Sequence, residues 1–92
     1  MNAKSKHPHH VHLYRCLGKV VSARRKRLGM SQGELAAESN VDRAFISKIE
    51  QGKRNPSFGL ISNIARGLNI RFDRLVHNCE RCRQEEESRQ VS

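Results

Sequence analysis

The 92-residue chain lacks any run of about 18 apolar residues, so no stretch is suited to crossing a bilayer as a helix. Its opening residues, MNAKSKHPHHVHLYRC, contain no apolar core of about 7–15 residues, which excludes a secretory signal in the given sequence. A cytoplasmic protein without membrane contact is therefore expected. Cysteine is scarce and odd in number, three in all, and with no export signal this favours reduced thiols over a disulfide framework. Alternation of apolar and polar residues is absent, as is any internal repeat, which leaves no basis for strands. There is also no nucleophile–base–orienter set and no glycine-rich phosphate cradle, so catalysis is disfavoured. Hydrophobic residues make up only 36% of the sequence. A chain this short buries about 60% of its unfolded surface at best. That leaves no room for a deep catalytic cleft and makes self-association a natural way to add buried surface.

Acid is the other shortage. Nine Asp and Glu stand against 18 Lys and Arg, for a formal charge of +9. Residues 1–29 carry eight bases and no acid; residues 30–56 are neutral, 57–78 carry +2 and 79–92 carry −1. A one-sided excess of this kind suits nucleic acid, an anionic membrane surface or an acidic partner, and equally a solvated arm. Residues 1–13 have a proline, four of the five histidines and no hydrophobic period, and they read as a flexible basic arm. Truncating that arm is expected to weaken general affinity for a polyanion without changing selectivity.

From Tyr14 the period becomes helical. Leu17, Val20, Val21 and Leu28 form one stripe, and Gly29 ends the helix. Ser31 and Glu34 make a capping box for a second, short helix that turns Leu35 and Ala36 inward. Asn40 suits a left-handed turn, and Asp42 is an N-cap for a third helix running to Gly52 with Ile46 and Ile49 on its inner face. Ser57 caps a fourth helix with Leu60, Ile61, Ile64, Ala65 and Leu68 as its stripe. A fifth begins near Arg71 with Phe72, Leu75, Val76 and Cys79, before a polar end, residues 79–92, that reads as a frayed tail or a helix extension. The expected fold is all-α, a compact domain of five helices over residues 14–78.

Two short helices joined by a tight turn, the second followed by a basic loop, have the layout of a helix-turn-helix, whose second helix enters the major groove. The residues themselves carry a closer likeness. Ser31-Gln32-x-Glu34-Leu35-Ala36, Val41, Ile46-Ser47-Lys48-Ile49-Glu50-x-Gly52-Lys53-Arg54-Asn55-Pro56-Ser57 and Ile64-Ala65-x-x-Leu68 together resemble the Cro/repressor-type (XRE) helix-turn-helix domain of phage repressors and bacterial regulators. The likeness covers about residues 17–76. It implies a repressor-like, sequence-specific regulator of transcription that binds double-stranded DNA as a homodimer on a near-palindromic operator, with no cofactor, metal or small-molecule ligand.

By this resemblance Arg43, Ala44, Ser47 and Lys48 face base edges. The chemistry agrees, since Arg or Lys can donate twice to guanine and Ala can meet a thymine methyl. Gln32, Lys53, Arg54, Asn55 and Ser57 correspond to positions that hold the sugar-phosphate backbone, which places the domain without reading sequence. Phe45 is assigned to packing against the second helix. Arg25 and Glu50 correspond to a structural ion pair, and the remaining bases of the first helix, Lys19, Arg24, Lys26 and Arg27, to a mainly solvated face. Ile70, Phe72, Leu75 and Val76 are apolar residues left for a dimer surface.

Cys79-Glu80-Arg81-Cys82 is a C-x-x-C without the βαβ setting of a redox motif or the second C-x-x-C of a structural zinc. A zinc site built across a dimer from Cys79, Cys82, Cys16 and one histidine stays open as an alternative, as does redox sensing. Besides a DNA-binding regulator, an antitoxin-like protein-binding regulator with the same fold, and more remotely a metal- or redox-dependent enzyme, are the readings to be separated.

Overall fold

A computed structural model describes residues 8–91, with the side chains of residues 11–89. Five helices follow one another: α1 (Pro8–Arg27), α2 (Gln32–Ser39), α3 (Arg43–Glu50), α4 (Phe58–Gly67) and α5 (Phe72–Val91). No strand occurs among the described residues. The all-α, five-helix expectation is thus met, and α2 and α3 form the helix-turn-helix pair.

The local signals act largely as their chemistry dictates. Ser31 Oγ accepts the Glu34 amide at 3.0 Å while Glu34 Oε1 accepts the Ser31 amide at 2.8 Å, closing the capping box at the start of α2. Asn40 ends that helix in the left-handed region at φ 59°, and Val41 N reaches back to Ala36 O at 3.0 Å. Ser57 Oγ accepts the Leu60 amide at 3.1 Å and opens α4. Asp42 departs from expectation: it occupies the cap position of α3, but its side chain makes no capping bond.

The ends of the chain differ more. α1 begins at Pro8, where a proline suits the first helical position, so residues 8–13 belong to the helix and not to a flexible arm. The expectation for residues 1–7 lies outside the described residues. α5 runs on to Val91, and its polar end is not frayed. Arg83 pairs with Glu80 one turn before it and with Glu87 one turn after it, the latter at 2.6 Å, and Arg81 meets Glu85 at 3.9 Å. Such same-face pairs each add about 0.2–0.5 kcal/mol to a helix. Glu86 turns the other way, toward α1, where Arg15 donates to it at 3.1 Å and Lys19 lies against its second oxygen.

The core joins all five helices. Leu17 and Val21 of α1, Leu35 and Ala36 of α2, Ile46 and Ile49 of α3, Ile64 of α4, Leu68 just after it and Cys79 of α5 form one buried cluster. Removing a large aliphatic side chain from water is worth about 1.5–3 kcal/mol, so these few residues supply most of the drive to fold. Leu28, expected on the inner stripe of α1, is instead exposed at the end of the helix. Gly18 lies within the core contact between α1 and α3, where a side chain would meet the backbone of Ile49 and Glu50.

The expectation of reduced cysteines is corrected. Cys16 on α1 and Cys82 on α5 form a disulfide, with Cα atoms 5.7 Å apart, inside the usual range. The bond spans 66 residues of sequence and staples the long C-terminal helix to the first. Helical spacing explains why the pairing differs from the sequence motif: Cys79 points into the core, and only Cys82 reaches Cys16.

Candidate nucleic-acid interface

Eight residues of α3 carry two opposed faces. Ile46 and Ile49 are fully buried on one, and Arg43, Ala44 and Lys48 are exposed on the other. Ser47 is half-buried, and its Oγ accepts a hydrogen bond from Gln51 Nε2 at 2.9 Å, which leaves its own hydroxyl proton free to be donated elsewhere. Phe45 is half-buried and packs on the core, as its size and position suggested. Arg43 lies beside the start of α2: its Cδ is 4.0 Å from where a Cβ on Gly33 would stand.

The far end of α3 is fixed by a cluster of polar contacts. Arg25 Nε donates to Glu50 Oε2 at 2.7 Å and Arg25 Nη2 to Glu50 Oε1 at 3.0 Å, a bidentate pair. Arg25 Nη1 also donates to the Met30 carbonyl at 2.8 Å, and Gln32 Nε2 donates to Glu50 Oε1 at 2.9 Å. One carboxylate therefore ties α1 and α2 to the last residue of α3, and Arg25 adds the α1–α2 turn. Burial pushes the Glu50 carboxyl up, but the hydrogen bonds from Arg25 and Gln32 and the charges of Arg25 and Lys26 outweigh it and hold Glu50 below the usual carboxylate range. Gln32, half-buried at the start of α2, is engaged in this support through its amide nitrogen.

The turn after α3 continues the exposed surface. Gly52 N bonds to Ile49 O at 3.0 Å and Lys53 N to Lys48 O at 2.9 Å, which folds the turn back on the helix. Gly52 takes φ +75°, and a Cβ there would stand 3.3 Å from the Arg15 Cα of α1, so both the backbone conformation and the close approach favour glycine. Lys53, Arg54, Asn55 and Ser57 are all exposed on this turn. Among the described residues, Arg43, Lys48, Lys53 and Arg54 are in no ion pair.

Several bases elsewhere are committed to the fold. Lys19 and Arg15 hold Glu86, and Arg24 donates from Nε to Leu68 O at 3.0 Å and from Nη2 to Asn69 O at 2.9 Å, satisfying carbonyls at the end of α4. Lys19 keeps the exposed position expected of it while pairing with Glu86, whereas Arg24 departs from a solvated face, being half-buried against the carbonyls that end α4. Sequence periodicity does not reveal such partners, although an isolated glycine inside a helical pattern, Gly18, was a legible sign of close packing.

Of the residues assigned to a dimer surface, Leu75 is fully buried in its own protomer and is unavailable to a partner. Ile70 and Phe72 are half-buried and Val76 is exposed. Phe58, which the sequence reading did not assign, is 73% exposed and meets Phe72 edge to face with ring centroids 4.7 Å apart. Phe58, Phe72 and Val76 thus make a continuous apolar strip along α4 and α5. The zinc arrangement that included Cys79 is not what the fold brings together: Cys79 is buried in the core, which pushes its thiol up to about 11.

Comparison with known proteins agrees with this geometry. Residues 21–75 match the family HTH_3, described as helix-turn-helix. The chain is similar to the control protein C.MunI of Mycoplasma sp, 35% identical over 63 residues that span 68% of this chain and 85% of that protein. Its fold matches the restriction-modification controller protein C.Esp1396I, solved as a tetramer in complex with its natural 35 base-pair operator, at a TM-score of 0.65 and 32% identity over 73% of this chain and 93% of that one. The clp gene regulator ClgR of Corynebacterium glutamicum shares the fold over 86% of this chain and 84% of its own, with a TM-score of 0.80 and 20% identity.

Proposed function

The chain belongs to the HTH_3 helix-turn-helix family, whose members are non-enzymatic, DNA-binding regulators of transcription, and on that premise we propose that it acts in the cytoplasm as a homodimer on a near-palindromic operator. One observation carries the reading. The buried face and anchored end of α3 hold the exposed Arg43, Ala44 and Lys48 and the half-buried Ser47 outward, beside unpaired cations on the next turn. A rigid helix with free donors is what edge-on recognition of bases in the major groove requires.

In this reading Arg43 and Lys48 donate to guanine acceptors, Ala44 contacts a thymine methyl, and Ser47 uses its remaining hydroxyl proton. Lys53, Arg54 and Asn55 grip phosphates on one side of the groove. Gln32 and Ser57 add phosphate contacts from the starts of α2 and α4, where the helix dipole favours an anion. Because one short helix reaches only a few base pairs, two copies are needed for selectivity. The strip of Phe58, Phe72 and Val76, with Ile70 at its margin, supplies an apolar contact between them. Two-fold symmetry would then set two α3 helices about 34 Å apart, one turn of B-DNA.

Footprinting on DNA upstream of the protein's own gene, over a range of salt, tests the proposal. A protected site with two-fold symmetry, whose affinity falls steeply with salt, is expected. Protection without symmetry by a monomer would overturn the dimer, and uniform weak binding to all sequences would overturn operator recognition.

A further inference from the structure

We propose that the reduced protein holds a zinc-class divalent cation between α1 and α5, ligated by the thiolates of Cys16 and Cys82 and the carboxylate of Glu86, with His12 as the fourth ligand. The ligand atoms of Cys16, Cys82 and Glu86 all lie within 4.8 Å of one another. His12 Nδ1 is 3.8 Å from Glu86 Oε1. A tetrahedral ion with bonds of about 2.0–2.3 Å sets its ligand atoms about 3.3–3.8 Å apart, so Cys16, Cys82 and Glu86 need only small shifts, while His12, beside Glu86 but outside that cluster, must swing inward to supply the fourth bond. The spacing is that of one helical turn on each side: His12 and Cys16 on α1 face Cys82 and Glu86 on α5, residues four apart sharing a helix face.

The disulfide accounts for the two sulfurs, and the ion pairs that draw Glu86 to α1 bring a carboxylate beside them. Glu86 lies in the polar end of α5, flanked by the exposed Glu85 and the half-buried Glu87, yet is itself only 8% exposed and turned to the sulfurs. Arg15 and Lys19 hold its carboxylate from outside. That is the arrangement of a ligating carboxylate with its outer partners, and two thiolates, one carboxylate, a dication and two neighbouring cations leave a site whose charge is nearly balanced.

The two states exclude each other. A dithiol reductant opens the Cys16–Cys82 bond by thiol–disulfide exchange: it passes two electrons and two protons to the pair, is itself oxidised to a cyclic disulfide, and leaves two thiols. Cation binding then displaces both thiol protons to solvent, and two metal–sulfur bonds replace the broken sulfur–sulfur bond. The α1–α5 staple is kept in either state by different chemistry.

Cobalt(II) added to the full chain, reduced with a dithiol and freed of it without air, is the test. One ion bound per chain, with a sulfur-to-cobalt charge-transfer band and loss of that band on adding one equivalent of zinc, is expected. The oxidised protein and Cys82→Ser should lack the band, and Glu86→Gln should bind at least about 10-fold more weakly, since even outer partners of ligands cost that much. Cys79→Ala should leave the band unchanged. Uptake without a charge-transfer band would place the ion on the N-terminal histidines and overturn the proposal, as would no uptake by protein whose thiols are free. Should Cys82→Ser not fold, alkylation of the wild type decides: one equivalent of zinc must protect Cys16 and Cys82, and unchanged alkylation overturns the site.

Discussion

Gly18 and Ile49 meet backbone to backbone: a Cβ built on Gly18 would lie 2.5 Å from the Ile49 carbonyl oxygen, and 2.7 Å from that of Glu50. α1 thereby crosses the end of α3 in close backbone contact, which helps set how deeply α3 sits. Gly18→Ala should destabilise the domain. Alanine improves helix propensity by about 1 kcal/mol, but overpacking against backbone that cannot swing aside costs about 1–3 kcal/mol. A net loss of up to about 2 kcal/mol is expected in urea unfolding, and a stabilised variant would show that the helices part freely.

Arg43 and Lys53 should separate base reading from backbone grip. Arg43→Ala is expected to cost about 1–3 kcal/mol on the best site and to relax preference at one base pair of each half-site. Lys53→Ala should weaken all sequences alike and lower the salt slope by about one. Competition binding with single-base operator variants checks both, and an unchanged preference in Arg43→Ala would remove that residue from base readout.

Acid should unfold the domain through Glu50. Its carboxyl lies lower in the folded than in the unfolded state, because burial, which raises it, is outweighed by hydrogen bonds from Arg25 and Gln32 and the charges of Arg25 and Lys26. A depressed carboxylate contributes stability that is fully present above its unfolded value of about 4.3 and is lost as pH falls through the lower folded value. Glu50→Gln should cost about 3–5 kcal/mol at neutral pH, since it leaves Arg25 without its partner, and should flatten the loss of stability below about pH 4. Urea midpoints from pH 3 to 7 measure both effects.

Reduction of Cys16–Cys82 with a chelator present should lower stability by about 4 kcal/mol, the loop-closure value for a bond spanning 66 residues. Small domains have only about 5–15 kcal/mol in all, so the loss is large. Comparing denaturant midpoints of the oxidised and reduced forms checks it. Unchanged midpoints would show that α5 docks on α1 without the staple.

Ser39→Ala should do no harm. Ser39 Oγ is buried without a hydrogen-bond partner among the described residues. Removing an unsatisfied hydroxyl relieves a desolvation penalty of about 1–3 kcal/mol, offset in part by the small space left behind. A melting temperature equal to or above that of the wild type is expected, and a clear fall would mean that the hydroxyl has a partner.

The helix-turn-helix was legible in the sequence because its signals are local. The capping box at Ser31 and Glu34, the left-handed Asn40, the cap at Ser57 and the pairs of apolar residues in α3 and α4 each act within one turn of themselves. The exposed positions of α3 and the basic turn follow from those boundaries. Even so, Asp42 makes no side-chain cap, since the α3 entry is held by backbone bonds to its carbonyl from Phe45 and Ile46 at 3.0 and 3.2 Å.

What the amino-acid sequence determined by itself was the class of fold, the helix order and the exposed face of α3 with its basic turn, the surface proposed to meet DNA. Tertiary structure decided the rest. It buried Leu75 and exposed Phe58, turned Arg24 to the end of α4, and paired Cys16 with Cys82 in place of the C-x-x-C suggested by adjacency. It also carried the helix through the polar end of the chain, because Glu86 finds Arg15 and Lys19 on α1 while its neighbours find partners along α5. The physical reason is range: caps and periodicity are fixed by residues within a few positions of one another. Partners 66 or 71 residues apart exist only once α1 and α5 have packed.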